Sequence, residues 1–156
     1  MNYWLMKSEP DEFSIDDLVK APKKTTAWLG VRNYQARNYM RDGMKIGDGV
    51  LFYHSSCPEP GIAGLAEVAS APFVDPSQFD KKSDYYDPKS RPEAPRWFCV
   101  NVRALKKTKL IPIAELQRHK ALKNMVTLRP GNRLSITPVT DAEWAFILEK
   151  LAGKPA

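Results

Sequence analysis

The sequence predicts an α+β fold, a small mixed sheet curled toward a barrel with several helices around it. Three observations carry that prediction. Short stretches alternate apolar and polar residues with the period of a strand, as in VLFYHS at Val50–Ser55 and RWFCVNVRAL at Arg96–Leu105. Two Ser/Thr-x-x-Asp/Glu signals, at Ser14–Asp17 and Thr140–Glu143, each open a helical pattern. Strands and helices do not alternate as regular βαβ units, which disfavours a parallel doubly wound sheet. At 156 residues the length suits one domain, placed at 1–152 with 153–156 as a tail.

Asn2–Met6 reads as a buried strand that stops at Lys7-Ser8-Glu9-Pro10, because proline removes a ladder donor. A helix capped by Ser14 runs to about Lys20 and ends at Ala21-Pro22. Thr25–Trp28 is a second strand, and Asn33 is placed to cap a helix over Tyr34–Arg41 closed by Asp42-Gly43. In Val50–Ser55, Leu51, Tyr53 and Ser55 share one face, while Phe52 and His54 share the other. Ile62–Ala71 is its hairpin-like partner.

Pro72–Pro95 is long, rich in Asp, Pro, Ser and Lys, and carries Phe73, Phe79, Tyr85 and Tyr86. Its aromatics argue for an ordered loop covering a site. In Arg96–Leu105 the alternation sets Phe98, Val100 and Val102 against Trp97, Cys99, Asn101 and Arg103, so Trp97 points away from the core. Lys106, Lys107 and Lys109 follow that strand. Ile113–Arg118 is then a short helix, Arg133–Val139 the last strand, and Trp144, Ile147, Leu148 and Leu151 the apolar stripe of a terminal helix.

Composition narrows the function classes. Hydrophobic content of 43% with 27% charged residues describes a globular chain, and no apolar run is long enough to span a bilayer. The first ten residues lack a basic region followed by an apolar stretch, so the expectation is a cytoplasmic protein, or a nuclear one in a eukaryote, and not a secreted one. Cys57 and Cys99 are not in CxxC spacing. With only His54 and His119 as further soft ligands, no metal site and no cofactor are expected. Net charge of +6 favours an anionic partner, nucleic acid first. There is no GxSxG elbow and no phosphate-binding loop, so no catalytic motif is identifiable.

The stretch Trp28–Arg41, WLGVRNYQARNYMR, concentrates aromatics, amides and guanidinium groups with no acid among them. Such groups can hold a flat, hydrogen-bonding ring beside a phosphate. The same residues also suit a Trp-ended strand followed by an ordinary basic helix. For Asn33, capping and ligand roles both stay open.

The chain resembles the EVE domain, part of the PUA-like superfamily. The residues that carry the resemblance are YWLMKSEP at Tyr3–Pro10, WLGVRNYQARNYMR at Trp28–Arg41, FYHS at Phe52–Ser55 and GIAGLAEV at Gly61–Val68. They continue with YYDPKS at Tyr85–Ser90, PRWFCVNV at Pro95–Val102 and RLSITPVT at Arg133–Thr140. The resemblance implies a PUA-like pseudo-barrel and a kinship with YTH domains, which cage a methylated adenine between tryptophans. EVE domains are associated with modified bases in DNA, notably modified cytosines. Carried onto this chain, the pocket would draw on Lys7, Ser8 and Glu9, on Trp28 and Asn33–Asn38, on Tyr53, His54 and Ser55, and on Trp97. The position of a second cage tryptophan falls in the Pro72–Pro95 loop, where this chain offers Tyr85 and Tyr86.

The expectation is therefore a non-enzymatic reader of one extruded, modified nucleobase in DNA or RNA, with oligomeric state left open. Trp28 and Trp97, or a loop tyrosine, stack on the base. Asn33, Asn38, Ser8 and Ser55 meet its edge, and Tyr34 is a further aromatic of the pocket. Arg32, Arg37 and Lys7 hold phosphates. Glu9 either accepts from an exocyclic amine, caps a turn or pairs with Arg37. Alternatives are an RNA-binding module without modification preference, an enzyme using His54 as general base, and a sensor of a free heterocycle.

Overall fold

The structure is a computed structural model and describes residues 1–153; part of the expected tail, 154–156, lies outside the described residues. In chain order, β1 spans Tyr3–Ser8, α1 Ile15–Lys20, β2 Thr25–Ala27, α2 Tyr34–Asn38, β3 Gly49–His54 and β4 Gly61–Val68. Then come β5 at Phe73–Val74, β6 at Phe98–Cys99, β7 at Asn101–Pro112, α3 at Ile113–Arg118, β8 at Ile136–Val139 and α4 at Asp141–Phe146. The helix starts follow from local chemistry. The Ser14 hydroxyl accepts from the Asp17 N–H while the Asp17 carboxylate accepts from the Ser14 N–H. Thr140 and Glu143 do the same at α4. Asn33 Oδ1 accepts from the Ala36 N–H at 3.0 Å, so its cap role is realised. Beyond α2 and α4 the backbone widens into π-helical turns, Tyr39–Gly43 and Ile147–Ala152.

One six-stranded sheet runs in the order β2-β7-β4-β3-β1-β8, with β1 parallel to β3 and every other pair antiparallel. The sheet is mixed and curled but not closed: β2 and β8 are its two edges. Its two faces bury separate apolar sets, as period-two side-chain alternation requires. Trp4, Met6, Val50 and Phe52 pack with Trp28, Ile15, Leu18 and Met40. Leu5, Leu51 and Tyr53 pack on the other side with Leu116, Leu122, Met125, Ile147 and Leu151. Trp144 is half-buried, stacked on Tyr3 with centroids 4.5 Å apart.

The expected strand Arg96–Leu105 is corrected in two respects. It divides at Val100: Phe98–Cys99 pairs with Phe73–Val74 as a small second sheet, while Asn101 begins β7. Cys99 and Val100 are both fully buried, so the simple alternation fails at the junction. The lysines also lie inside β7 rather than after it. Register shifts against β4 around Lys106 and Lys107 turn those side chains outward while the backbone stays paired.

The Pro72–Pro95 loop is ordered by a buried amide. Gln78 Nε2 donates to the carbonyls of Asp75 at 2.6 Å and Trp97 at 2.8 Å. Its Oε1 accepts from the Trp97 N–H at 3.1 Å and from the Ser90 hydroxyl. One side chain thus ties the start, the end and the exit of the loop.

Candidate functional site

A cavity of about 540 Å³ opens where β1, the segment after β2, the end of β3 and the approach to β8 meet. The parallel pairing sets Lys7 opposite Tyr53 and Ser8 opposite His54, so both strands end at one level. The Ser55 N–H then donates to the Ser8 carbonyl at 3.0 Å, and the Lys7 N–H to the Ser135 carbonyl at 2.8 Å. These bonds draw Ser55, Ser56, Arg133 and Ser135 to the rim. Ser56 has φ +53°, a conformation uncommon for a residue with a side chain.

Two aromatic walls define the interior. Trp28 borders the cavity and meets Phe52 edge-on, with centroids 5.5 Å apart. Two residues on, Gly30 has φ +85°, and a Cβ there would lie 2.6 Å from Cζ of Tyr85. The Tyr85 ring therefore rests directly on the Gly30 backbone, an approach that glycine alone permits. Arg32 anchors the backbone that carries that ring. Its Nε and Nη2 donate to the Tyr85 carbonyl at 3.1 and 2.7 Å, and its Nη1 pairs with the fully buried Asp75 at 3.2 Å. Asp75 also accepts from the Gly30 N–H at 3.0 Å. Across the mouth, the Tyr85 hydroxyl donates to Glu12 at 3.1 Å. Burial, and then that bond and the surrounding carboxylates, raise the Tyr85 pKa.

The polar lining is mixed. Lys7 sits 5.8 Å from the Tyr53 ring centroid and has no ion-pair partner among the described residues; burial lowers its pKa. Glu9 and Glu12 bring acceptors. Ser8 donates to the Phe13 carbonyl at 2.6 Å, which leaves its oxygen free to accept. Among the described residues no group of three His, Cys, Asp or Glu side chains is arranged to hold a metal.

Of the residues singled out from the sequence, Lys7, Ser8, Glu9, Trp28, Arg32, Ser55 and Tyr85 line this cavity. The others lie outside it. Trp97 stacks on Tyr34 with centroids 4.8 Å apart, the Arg37 guanidinium covers Tyr34 at 4.7 Å, and Arg32 covers Trp97 at 5.3 Å. Trp97 Nε1 donates to Asp87 at 2.7 Å. Arg37 donates to the Arg96 carbonyl and to Asn38 Oδ1. Tyr53 is in the core, and Tyr86 stands exposed on the loop. The two tryptophans therefore do not face each other across the opening; Trp28 shares it with Tyr85. Sequence reasoning passed over Gly30, Glu12, Asp75 and Arg133. Gly30 carried a signal, since an isolated glycine just past a strand suggests a close backbone approach. Asp75 carried none.

His54 lines a separate cavity of about 180 Å³ with Asp16, Lys107 and Thr108. Its Nε2 accepts from the Ile15 N–H at 3.1 Å, which anchors α1 to β3. Burial lowers its pKa, partly opposed by Asp16 and assisted by Lys107. The unfolded chain then binds the proton more readily, so this contribution to stability is present above about pH 6.5 and is lost as pH falls through the lowered folded value. Urea midpoints across pH 5–8 should drop on the acid side for the native chain, and His54→Leu should flatten that drop. An unchanged acid-side slope in the variant would assign the effect elsewhere.

The chain matches the EVE domain family model over residues 2–150. Human thymocyte nuclear protein 1 is 46% identical over 173 aligned residues, covering 99% of this chain and 76% of that protein. The crystal structure of human THYN1 protein in complex with 5-methylcytosine containing DNA is 45% identical, covers 100% of both chains and superposes with a TM-score of 0.92. A Pseudomonas syringae protein of solved structure is 44% identical, with coverage of 94% and 97% and a TM-score of 0.89. A match over nearly the whole length in sequence and in fold leaves one assignment: this chain belongs to the EVE domain family.

Proposed function

We propose that the chain binds nucleic acid and takes one base bearing a small modification, such as a 5-methylcytosine, into the cavity between Trp28 and Tyr85. The observation that carries this reading is the Tyr85 ring against Gly30, with the Tyr85 carbonyl held by Arg32, beside Trp28 in a space of about 540 Å³. That volume falls in the range of small-ligand sites. The human relative bound to 5-methylcytosine containing DNA supports the choice of ligand.

The aromatic faces supply stacking that any base can use, so selectivity comes from the edge. Glu9 or Glu12 accepts from the exocyclic amine of a cytosine, and Lys7 or the serines donate to its ring acceptors. A methyl group buried against Trp28 gains about 0.8 kcal/mol, worth about a four-fold preference.

Fluorescence anisotropy with matched oligonucleotides carrying plain or 5-methylated cytosine, in DNA and RNA, tests this. The expected result is a several-fold tighter Kd for a modified strand. Equal affinity for all four would remove the reader assignment and favour an RNA- or DNA-binding module without modification preference.

A further inference from the structure

The connection from α3 to β8 carries charge of one sign. Between Leu116 and Thr140 the chain holds Arg118, Lys120, Lys123, Arg129 and Arg133, with no Asp or Glu. All five are exposed. Leu116, Leu122 and Met125 bury the inner side of the segment, which leaves its cations on the outer side. Among the described residues the ion pairs lie elsewhere: Arg32–Asp75, Arg41–Asp42, Arg103–Glu67 and Lys107–Asp16. Exposed cations that stand outside these ion pairs are available to a polyanion.

The place of this segment gives the charge a direction. Arg133 and Ser135 line the cavity, so the basic segment begins at its rim. Acidic residues line the same cavity: Glu9 and Glu12 border it, and Asp11 and Asp84 are exposed next to lining residues in the chain. Beyond Arg133 the segment toward Lys120 carries cations without acids, and a phosphate backbone is drawn along it.

We infer that the exposed face of Lys120–Arg133 is a phosphate-backbone track, along which the strand that delivers a base to the cavity runs past Arg133 and Arg129 toward Lys123 and Lys120. The inference rests on the reading of the cavity as a base pocket. It adds the surface that supplies affinity without reading sequence, and it fixes the side from which the nucleic acid approaches.

The test compares two triple variants with the same change in net charge. Lys120→Gln/Lys123→Gln/Arg129→Gln removes cations from the track. Lys81→Gln/Lys82→Gln/Lys89→Gln removes exposed cations from the acidic loop that carries Asp80, Asp84 and Asp87. The Kd for a 5-methylcytosine DNA oligonucleotide and its plain counterpart is measured from 50 to 300 mM salt. Each lost phosphate contact lowers the slope of log Kd against log salt by about 0.9. The track variant should therefore lose about 2–3 from the slope and bind at least about ten-fold more weakly at 0.1 M salt. Its modified-to-plain ratio should match that of the native chain, and the loop variant should keep most of the native slope. Equal slopes for the two variants, or a native slope in the track variant, would overturn the track. A native modified-to-plain ratio of one would instead overturn the base-pocket reading, and that ratio is read independently of the slopes.

Discussion

Replacing Tyr85 by alanine is expected to weaken binding of a modified-base oligonucleotide by about 5- to 150-fold, the equivalent of one lost base–aromatic stack at roughly 1–3 kcal/mol. The ring is a wall of the cavity and is only partly buried, so its removal takes away a binding surface more than a piece of the core. Tyr85→Phe separates the two contributions of the residue. It keeps the ring on Gly30 and loses only the hydroxyl's bond to Glu12. Most of the affinity should survive in it, because that bond is exposed and worth about 1 kcal/mol or less. Titration by anisotropy or calorimetry checks both variants, with a thermal melt to show that each is folded. An alanine variant that binds like the native chain would move the stacking surface away from Tyr85.

The largest loss of stability is expected from Gln78→Leu. The side chain is fully buried, and it meets backbone groups of Asp75 and Trp97 that a leucine would leave without a partner. Each buried backbone group so orphaned costs about 1–3 kcal/mol, so the variant should lose roughly 2–6 kcal/mol. That is a large part of the 5–15 kcal/mol typical of a domain. The damage should also reach the site, since Asp75 holds Arg32 and Arg32 holds Tyr85. A urea midpoint well below that of the native chain, together with weaker oligonucleotide binding, is the expected pair of results. A native midpoint would show that the loop is held by other contacts.

Those two residues also mark the limit of what the sequence disclosed. The helix starts at Ser14, Asn33 and Thr140 were legible because a cap is settled within four residues. The two faces of β3 were legible because alternation is a property of the strand itself. The motifs around Lys7, Trp28 and Ser55 led to residues that do gather at one opening. The partner of Trp28 across that opening was legible only as a choice between Trp97 and a loop tyrosine, Tyr85 or Tyr86. It depends on Arg32 meeting Asp75 across 43 positions and on Tyr85 meeting Glu12 across 73. No local pattern encodes such a meeting. Trp97 read as a cavity wall for the same reason. Its neighbours Tyr34 and Asp87 come from other segments, and they claim its face and its N–H before a ligand can. The lysines of β7 misled in another way: local charge argues for a loop, but backbone pairing with β4 decides the strand.

The position of β1 has a consequence for biosynthesis. Tyr3 lies opposite Gly49 on one side and Val139 on the other, so β1 waits for a strand synthesised much later than itself. Arg133 and Ser135, which complete the rim, arrive on that same late segment. Pairings so distant along the chain form slowly. A prematurely terminated product would lack the last wall of the opening, and so could not compete with finished molecules for their ligand.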